Sequence, residues 1–436
     1  MIAALFFGLA IATLAQNDND DTEITVTNDK GEKEVIDLPE AMTNSYDSLL
    51  NEYNVKIYLK PNADCNMPDV NPVYAKDVYI ERLSKLPTVI EMPYNDVVQK
   101  FIDRYSGHLR RSVSLMLGLQ NFYIPTFEEA LEAYGLPLEL KYLPVIESAL
   151  NPNAVSRVGA TGLWQFMLKT GKRYGLEVNS LVDERRDPIK ASYAAAHYLS
   201  DLYKIFGDWN LVIASYNCGP DNVNKAIHRS KGETDYWKIY PYLPKETRGY
   251  VPAFIAANYI MNYYCDHNIC PMVAELPVKT DTIMVNRDVH FEQVAGVLKI
   301  NVDEIKDLNP QYRRNIVNGK TKPSALRLPA SLINSFIDNE DAIFAYNADS
   351  LLNKRTEVEV NEKIPSYTSS KRTSRRSYRS SRRSRRKRQR SKSVTIRQGD
   401  TLSEIAERHG TTVKKLKRLN RISGSGIRAG KKIRIK

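Results

Sequence analysis

Glu147-Ser148-Ala149-Leu150-Asn151-Pro152 opens the stretch that decides how this chain folds; after Ser156 come Gly159-Ala160-Thr161-Gly162 and Leu163-Trp164-Gln165-Phe166-Met167. Glu147 is followed by no other acid before Glu177. Leu140, Leu143, Glu147 and Leu150 are spaced three, four and three apart, so on a helix they share one face. A carboxyl on an apolar stripe loses hydration when it ionises, which predicts a pKa raised by about two units. Such an acid keeps its proton near neutral pH and can give it to a leaving oxygen. A glutamate held by a local hydrogen bond on a shorter helix is the alternative, and Pro144 inside the window loosens the register. Asn151-Pro152 predicts the helix end, because a residue before proline is pushed out of helical geometry.

The residues beyond the helix suit a sugar. Gly159 and Gly162 allow tight turns and close backbone approach. Gln165 offers an amide donor and acceptor beside aromatic and sulfur side chains, a match for a ring bearing an N-acetyl group. Ser215-Tyr216-Asn217-Cys218-Gly219 repeats that mixture of flat ring and amide, and Glu246-Thr247-Arg248-Gly249-Tyr250-Val251-Pro252 supplies another tyrosine.

In this order the motifs resemble those of the lytic transglycosylases of the goose-type lysozyme superfamily. The likeness rests on Glu147-Ser148, on Gly162-Leu163-Trp164-Gln165-Phe166-Met167, on Tyr216-Asn217 with Ser215 where the family has alanine, and on a tyrosine placed at Tyr250. The resemblance spans roughly residues 93–275 and implies a mainly α, lysozyme-like catalytic domain that cleaves the β-1,4 bond between N-acetylmuramic acid and N-acetylglucosamine. Glu147 would protonate the glycosidic oxygen, then take the proton of the substrate's own C6 hydroxyl, closing a 1,6-anhydro ring without water. The same resemblance gives Ser156 the task of orienting Glu147, places Gln165, Met167, Tyr216, Asn217 and Tyr250 along the sugar subsites, and calls for no cofactor or metal. Goose-type hydrolases carry aspartates between the glutamate and the glutamine motif. This chain has none there, which favours lyase over hydrolase chemistry.

The tail repeats itself. Val302-x-x-Ile305-Lys306-x-Leu308-Asn309 returns as Val413-x-x-Leu416-Lys417-x-Leu419-Asn420, an offset of 111 residues. In the second copy Thr401-Leu402-Ser403-Glu404 is a capping box, and Lys432-Ile433-Arg434-Ile435 alternates like a strand. A small α+β strand-helix-helix-strand unit opening on Gly399-Asp400-Thr401 resembles a lysin-motif (LysM) domain. That likeness implies binding of N-acetylglucosamine chains, with Gly399, Asp400, Thr401 and Ile427 as candidate contacts. In the first copy Asp288, Val289 and His290 replace the signature, which puts its glycan binding in doubt.

The expected organisation is a signal peptide over 1–15, a partly disordered wrapping segment over 16–92, the catalytic domain over 93–275, the first LysM-like copy over 277–332, a linker over 333–392 and the LysM domain over 393–436. Residues 16–40 are polar and acidic and are expected to lack structure. The run 2–15 is apolar but too short to span a bilayer, and Ala15 suits signal cleavage, which predicts export. Net charge is +12, yet Lys371–Lys392 alone holds thirteen Lys or Arg and no acid, so an acidic body carries a basic tail. The Arg/Ser tract reads as a solvated linker able to touch an anionic envelope surface; a nucleic-acid footprint is the rival, and an exported chain is not expected to meet nucleic acid. A non-catalytic glycan-binding scaffold is the other rival, opposed by the intact Glu147, Gln165 and Tyr216-Asn217. Four cysteines are too few for a disulfide framework; Cys265 and Cys270 could pair, while a zinc site using His267 would lack an evident fourth ligand.

Overall fold

The computed structural model describes residues 22–27, 31–43, 59–274, 276–277, 279–352, 393–396, 400–420, 422, 427–428 and 430–435. The apolar run 2–15, the Arg/Ser tract and Gly399 lie outside them. Up to residue 274 the chain is mainly helical: α1 (Lys76–Ser84), α2 (Asp96–Ser106), α3 (Arg110–Ala133), α4 (Leu143–Ser148), α5 (Leu168–Arg173), α6 (Pro188–Phe206), α7 (Trp209–Cys218), α8 (Pro220–Arg229), α9 (Tyr236–Ile239) and α10 (Lys245–Tyr263). Helix α2 starts where the Asn95 side chain accepts the Val98 N–H, and it buries Val97, Val98, Phe101, Ile102 and Tyr105 on one face. Helix α10 is the axis of the domain. Its residues Gly249 to Met261 are all buried, and α2, α4 and α7 pack around it. A helix apolar on every side must lie inside, which fixes where the core sits.

The N-terminal segment is more ordered than its composition predicts. Strands β1 (Glu23–Thr27) and β2 (Lys33–Asp37) pair antiparallel with Ile24 opposite Ile36. The expectation that residues 16–40 lack structure therefore fails over Glu23–Thr27 and Lys33–Asp37. Only one face needs to be apolar in such a hairpin, and Val26 and Ile36 supply it by joining the main core. Strand β2 lies on α10 at Gly249, where an added Cβ would come 2.9 Å from the Asp37 carbonyl oxygen.

Further along, β3 (Leu59–Lys60) pairs with β4 (Val273–Ala274), and Cys65 is disulfide-bonded to Cys270, 205 residues away. Of the possibilities left open for Cys265 and Cys270, their mutual pairing is not the one found: Cys265 is a free, exposed thiol. His267 is no ligand either. Its ring nitrogens meet the Tyr259 hydroxyl at 3.0 Å and the Asn71 side-chain oxygen at 2.8 Å, and burial pushes its pKa down to about 4.

Both tail copies adopt the same small α+β fold. In the first, β5 (Thr280–Val285), β6 (Asp288–His290), α11 (Phe291–Leu298), α12 (Val302–Leu308), β7 (Ile316–Asn318) and β8 (Ser324–Pro329) pair as β5 with β8 and β6 with β7. Three further helices follow in the span expected to be linker: α13 (Ile333–Asp338), α14 (Glu340–Ala345) and α15 (Ala348–Leu351). Phe336, Ile343 and Phe344 are buried with Phe291 and Leu326, so the module extends beyond 332. The second copy holds β9 (Ser393–Thr395), α16 (Leu402–Arg408), α17 (Val413–Asn420) and β10 (Lys432–Arg434). Asn309 and its repeat mate Asn420 do the same work, each exchanging two hydrogen bonds with the backbone of the last strand, at Arg327 and at Arg434, over 2.7–2.8 Å.

The first copy is fused to the helical body. The Asp183 N–H donates to the Gln311 carbonyl and the Arg313 N–H to the Leu181 carbonyl, both at 2.8 Å, and Leu181 and Val182 are buried in the module's own core.

Candidate active site

Glu147 lies on α4, a helix of six residues that follows a 3-10 turn over Leu138–Tyr142. Pro144 stands in the first turn, where no N–H is needed, so it starts the helix and does not break it. The helix ends at Ser148, earlier than Asn151-Pro152 suggests, because Ala149 (φ 47°) and Leu150 (φ 60°) turn left-handed. Leu140, Leu143 and Leu150 therefore do not share one helix, yet all three are buried in the cluster that backs α4. The buried Ser148 hydroxyl reaches the carbonyls of Pro144 at 3.1 Å and Leu163 at 2.9 Å, tying the helix to the glutamine-bearing turn.

The Tyr250 hydroxyl, from α10, donates to Oε1 of Glu147. Among the described residues Oε2 accepts no hydrogen bond, and Glu147 as a whole is partly buried. Burial pushes the Glu147 pKa up to about 8; the Tyr250 bond pulls it down and the nearby charge of Glu246 adds to the rise. The group is thus a protonated acid at neutral pH with one oxygen that no described residue engages.

Tyr216 and Tyr250 both feel the Glu147 charge, which with burial raises their own pKa values. Tyr216 donates to the Trp164 carbonyl at 2.8 Å, and Asn217 accepts from Thr247 at 2.8 Å while its amide faces Glu246 at 3.4 Å. Gln165 sits at φ 47° and spends its N–H groups on the carbonyls of Gly162 (2.8 Å) and Ala154 (3.3 Å). Its side-chain oxygen has no partner. Met167 is 45% exposed, a free apolar surface beside that amide. Ser156 is engaged within its own loop. Its hydroxyl accepts the Ala160 N–H at 3.0 Å and closes its own turn, and no hydrogen bond joins it to Glu147.

Three participants were missed from sequence. Glu246 lies one helical turn before Tyr250 on α10, a spacing of four that puts both on one face and could have found it. Glu40 comes from the wrapping segment. Its carboxylate accepts the Arg157 N–H at 3.2 Å, and burial followed by the Arg157 and Glu246 interactions leaves its pKa raised; nothing in the sequence pointed to it. Arg185 braces the glutamine turn. It is buried in an ion pair with Asp183 (2.8 Å) and donates to the carbonyls of Gly159 and Phe166 at 3.2 Å. Gly162, at φ 88°, is required there, since an added Cβ would meet the Arg185 carbonyl oxygen at 1.8 Å.

In the second tail copy Asp400 accepts from Arg408 at 2.6 Å, Thr401 caps α16 by accepting the Glu404 N–H at 3.2 Å, and Ile427 packs on the module core. In the first copy Asp288 accepts the Lys320 N–H at 3.0 Å and His290 caps α11. Among the described residues no cluster of His, Cys, Asp and Glu is placed to hold a metal ion.

Residues 125–239, which hold Glu147, Gln165 and Tyr216-Asn217, match the family described as Transglycosylase SLT domain. The chain carries an SLT domain. Residues 279–345 match the LysM-like domain of lytic transglycosylase MltD, and 394–436 match the LysM domain. The membrane-bound lytic murein transglycosylase D of Escherichia coli (strain K12) is 29% identical over 69% of this chain and 60% of its own length. The chain thus spans about 60% of that relative. The soluble lytic murein transglycosylase of the same strain is 33% identical over 27% of this chain and 19% of its own. The crystal structure of the 70 kDa soluble lytic transglycosylase from Escherichia coli is 29% identical, covering 34% of this chain and 25% of that one with a TM-score of 0.29. The SLT match ends before Glu246 and Tyr250, which come to the site from α10.

Proposed function

We propose that this chain is a peptidoglycan lytic transglycosylase. The observation that carries the reading is Glu147: a partly buried acid with a pKa pushed up to about 8 and one oxygen that no described residue engages. Bound glycan would meet Oε2, which gives its proton to the bridging oxygen between the muramoyl and glucosaminyl rings as the C1–O bond breaks. The 2-acetamido carbonyl covers the cationic anomeric carbon. Glu147, now ionised and held by Tyr250, takes the proton of the C6 hydroxyl, and that oxygen closes on C1. No water is consumed, and the attacking group has the advantage of being tethered. The free oxygen of Gln165 is suited to accept an acetamido N–H, with Met167 and Tyr216 as apolar and ring surfaces beside it.

The wider role follows from the rest of the chain. The LysM domain would hold the enzyme on glycan strands, and the basic Arg/Ser tract would add attraction to an anionic envelope surface. The Cys65–Cys270 disulfide supports an oxidising compartment, in line with export by residues 1–15. Peptidoglycan turnover and remodelling is the process this serves.

Zymography on purified sacculi tests the enzyme assignment: a clearing band is expected, lost at least about 10²–10⁴-fold in Glu147→Gln. Mass analysis of the products should find fragments one water lighter than those of a hydrolase. Glu246 supplies a second reading, because its charge is felt at Glu147 and a hydrolase would use such a carboxylate to activate water. Reducible muramic acid ends that vanish in Glu246→Gln would establish hydrolysis and end the lyase assignment.

A further inference from the structure

Beside the catalytic wall lies a cavity of about 420 Å³ between α8 and the start of α10. Lys225, Arg229, Arg248, Asn222, Tyr242 and Pro244 line it, and no carboxylate does. It is linked to the candidate site through Asn217 and its neighbours. Asn222 donates to the carbonyl of Cys218, next to Asn217, at 2.8 Å, and Arg248 follows Thr247, which holds the Asn217 side chain.

The three cations differ in how far their charge is already met. Arg248 is ion-paired with Glu34 and donates to the carbonyls of Leu243 (3.0 Å) and Pro241 (2.7 Å), so it forms the built end of the cavity. Lys225 has only the Asn222 side-chain oxygen at 3.5 Å. Arg229 has no hydrogen bond or ion pair among the described residues. Lys225 and Arg229 are exposed and stand four residues apart on α8, a spacing at which like charges repel. Two uncompensated cations facing one concave surface favour an anion, and Arg is suited to grip a carboxylate through two parallel N–H bonds.

We propose that this cavity receives carboxylate groups of the peptide stems that branch from the glycan, so that the enzyme distinguishes stem-bearing from bare strands. The proposal rests on the peptidoglycan reading above and adds the part of the substrate that the sugar subsites do not touch. Every muramoyl ring carries its stem on the lactyl ether, so a strand lying along Glu147 and Asn217 must lay stems against one wall of the cleft. The cavity beyond Asn217 carries positive charge with no carboxylate in its lining.

The test uses the full chain and two substrates: glycan strands with intact stems, and the same strands stripped of stems by an amidase. The wild-type protein should have the higher kcat/KM on stem-bearing strands. Lys225→Ala combined with Arg229→Ala should lower that value about tenfold, the scale of one or two part-exposed charge-assisted contacts, and leave bare strands unaffected. Lys225→Glu with Arg229→Glu should fall further, and Arg229→Lys should recover part of the loss. Both side chains are exposed, and an unchanged melting temperature separates lost recognition from lost folding. Equal rates of the wild type on both substrates, or an equal loss on both in the alanine variant, overturn the proposal while leaving the lyase assignment standing. A wild-type protein inactive on both overturns the lyase assignment and the stem site with it.

Discussion

Replacing Glu147 by glutamine should stabilise the protein, and increasingly so as pH rises. An unfolded glutamate ionises near pH 4.5, whereas in the fold burial holds the Glu147 proton until about pH 8. Below pH 4.5 both states are protonated and the side chain carries no pH-dependent penalty. Between those two values the unfolded chain gives up a proton that the folded chain retains, so stability falls as pH rises, and the loss saturates above about pH 8. The full difference corresponds to about 5 kcal/mol at about 1.4 kcal/mol per pH unit. Glu147 is only partly buried, so roughly half of that, about 2–3 kcal/mol, is the expected net effect. Glutamine cannot ionise, so Glu147→Gln escapes the penalty. Urea denaturation of both proteins at pH 4.5 and pH 8.5 should show little difference at the lower pH and the variant more stable by that amount at the higher. A pH-independent difference, or a variant that loses ground as pH rises, would refute the account of Glu147 as an acid kept neutral by burial.

Three other outcomes follow. Tyr250→Phe removes a bond that favours ionised Glu147, so the alkaline limb of the kcat/KM profile should move up by about one to two pH units, the worth of a hydrogen bond to a charged group; an unmoved limb would deny Tyr250 that role. Ser215→Ala deletes a buried hydroxyl that lacks any partner and should be neutral or stabilising by up to about 1 kcal/mol in a thermal melt; a clear loss would mean that the hydroxyl is satisfied in solution. Cys65→Ser with Cys270→Ser opens a closure of 205 residues and should cost up to about 5 kcal/mol by chain entropy, read as a lower urea midpoint that dithiothreitol reproduces in the parent and does not change in the variant.

Much of the site was legible because its chemistry is local in sequence. The run from Glu147 to Met167 holds the acid, its helix end and the glutamine turn, and the repeated Asn309 and Asn420 announced two copies of one module. What sequence did not give is long-range. Glu40 arrives from a segment whose composition is polar, and its hairpin signal is only one buried residue per strand, Val26 and Ile36. Cys65 lies far from Cys270, so proximity along the chain favoured the wrong partner. Helix α4 was misjudged in length because two left-handed residues, neither of them glycine, end it. For Ser156 the resemblance implies a role toward Glu147, while its hydroxyl oxygen here accepts the Ala160 N–H of its own turn.

The seam between the helical body and the first tail copy changes what counts as the smallest unit able to stand alone. A chain cut after residue 275 would lay Leu181 and Val182 bare to water and leave the Asp183 amide and the Leu181 carbonyl without the mates they have in Gln311 and Arg313. The same cut loosens the ground under Arg185, two residues from that seam, on which the glutamine turn stands. Trimming to the lysozyme-like part alone would therefore yield a stickier and slacker protein, and the natural place to stop lies past Leu351, where the last helix of that copy ends.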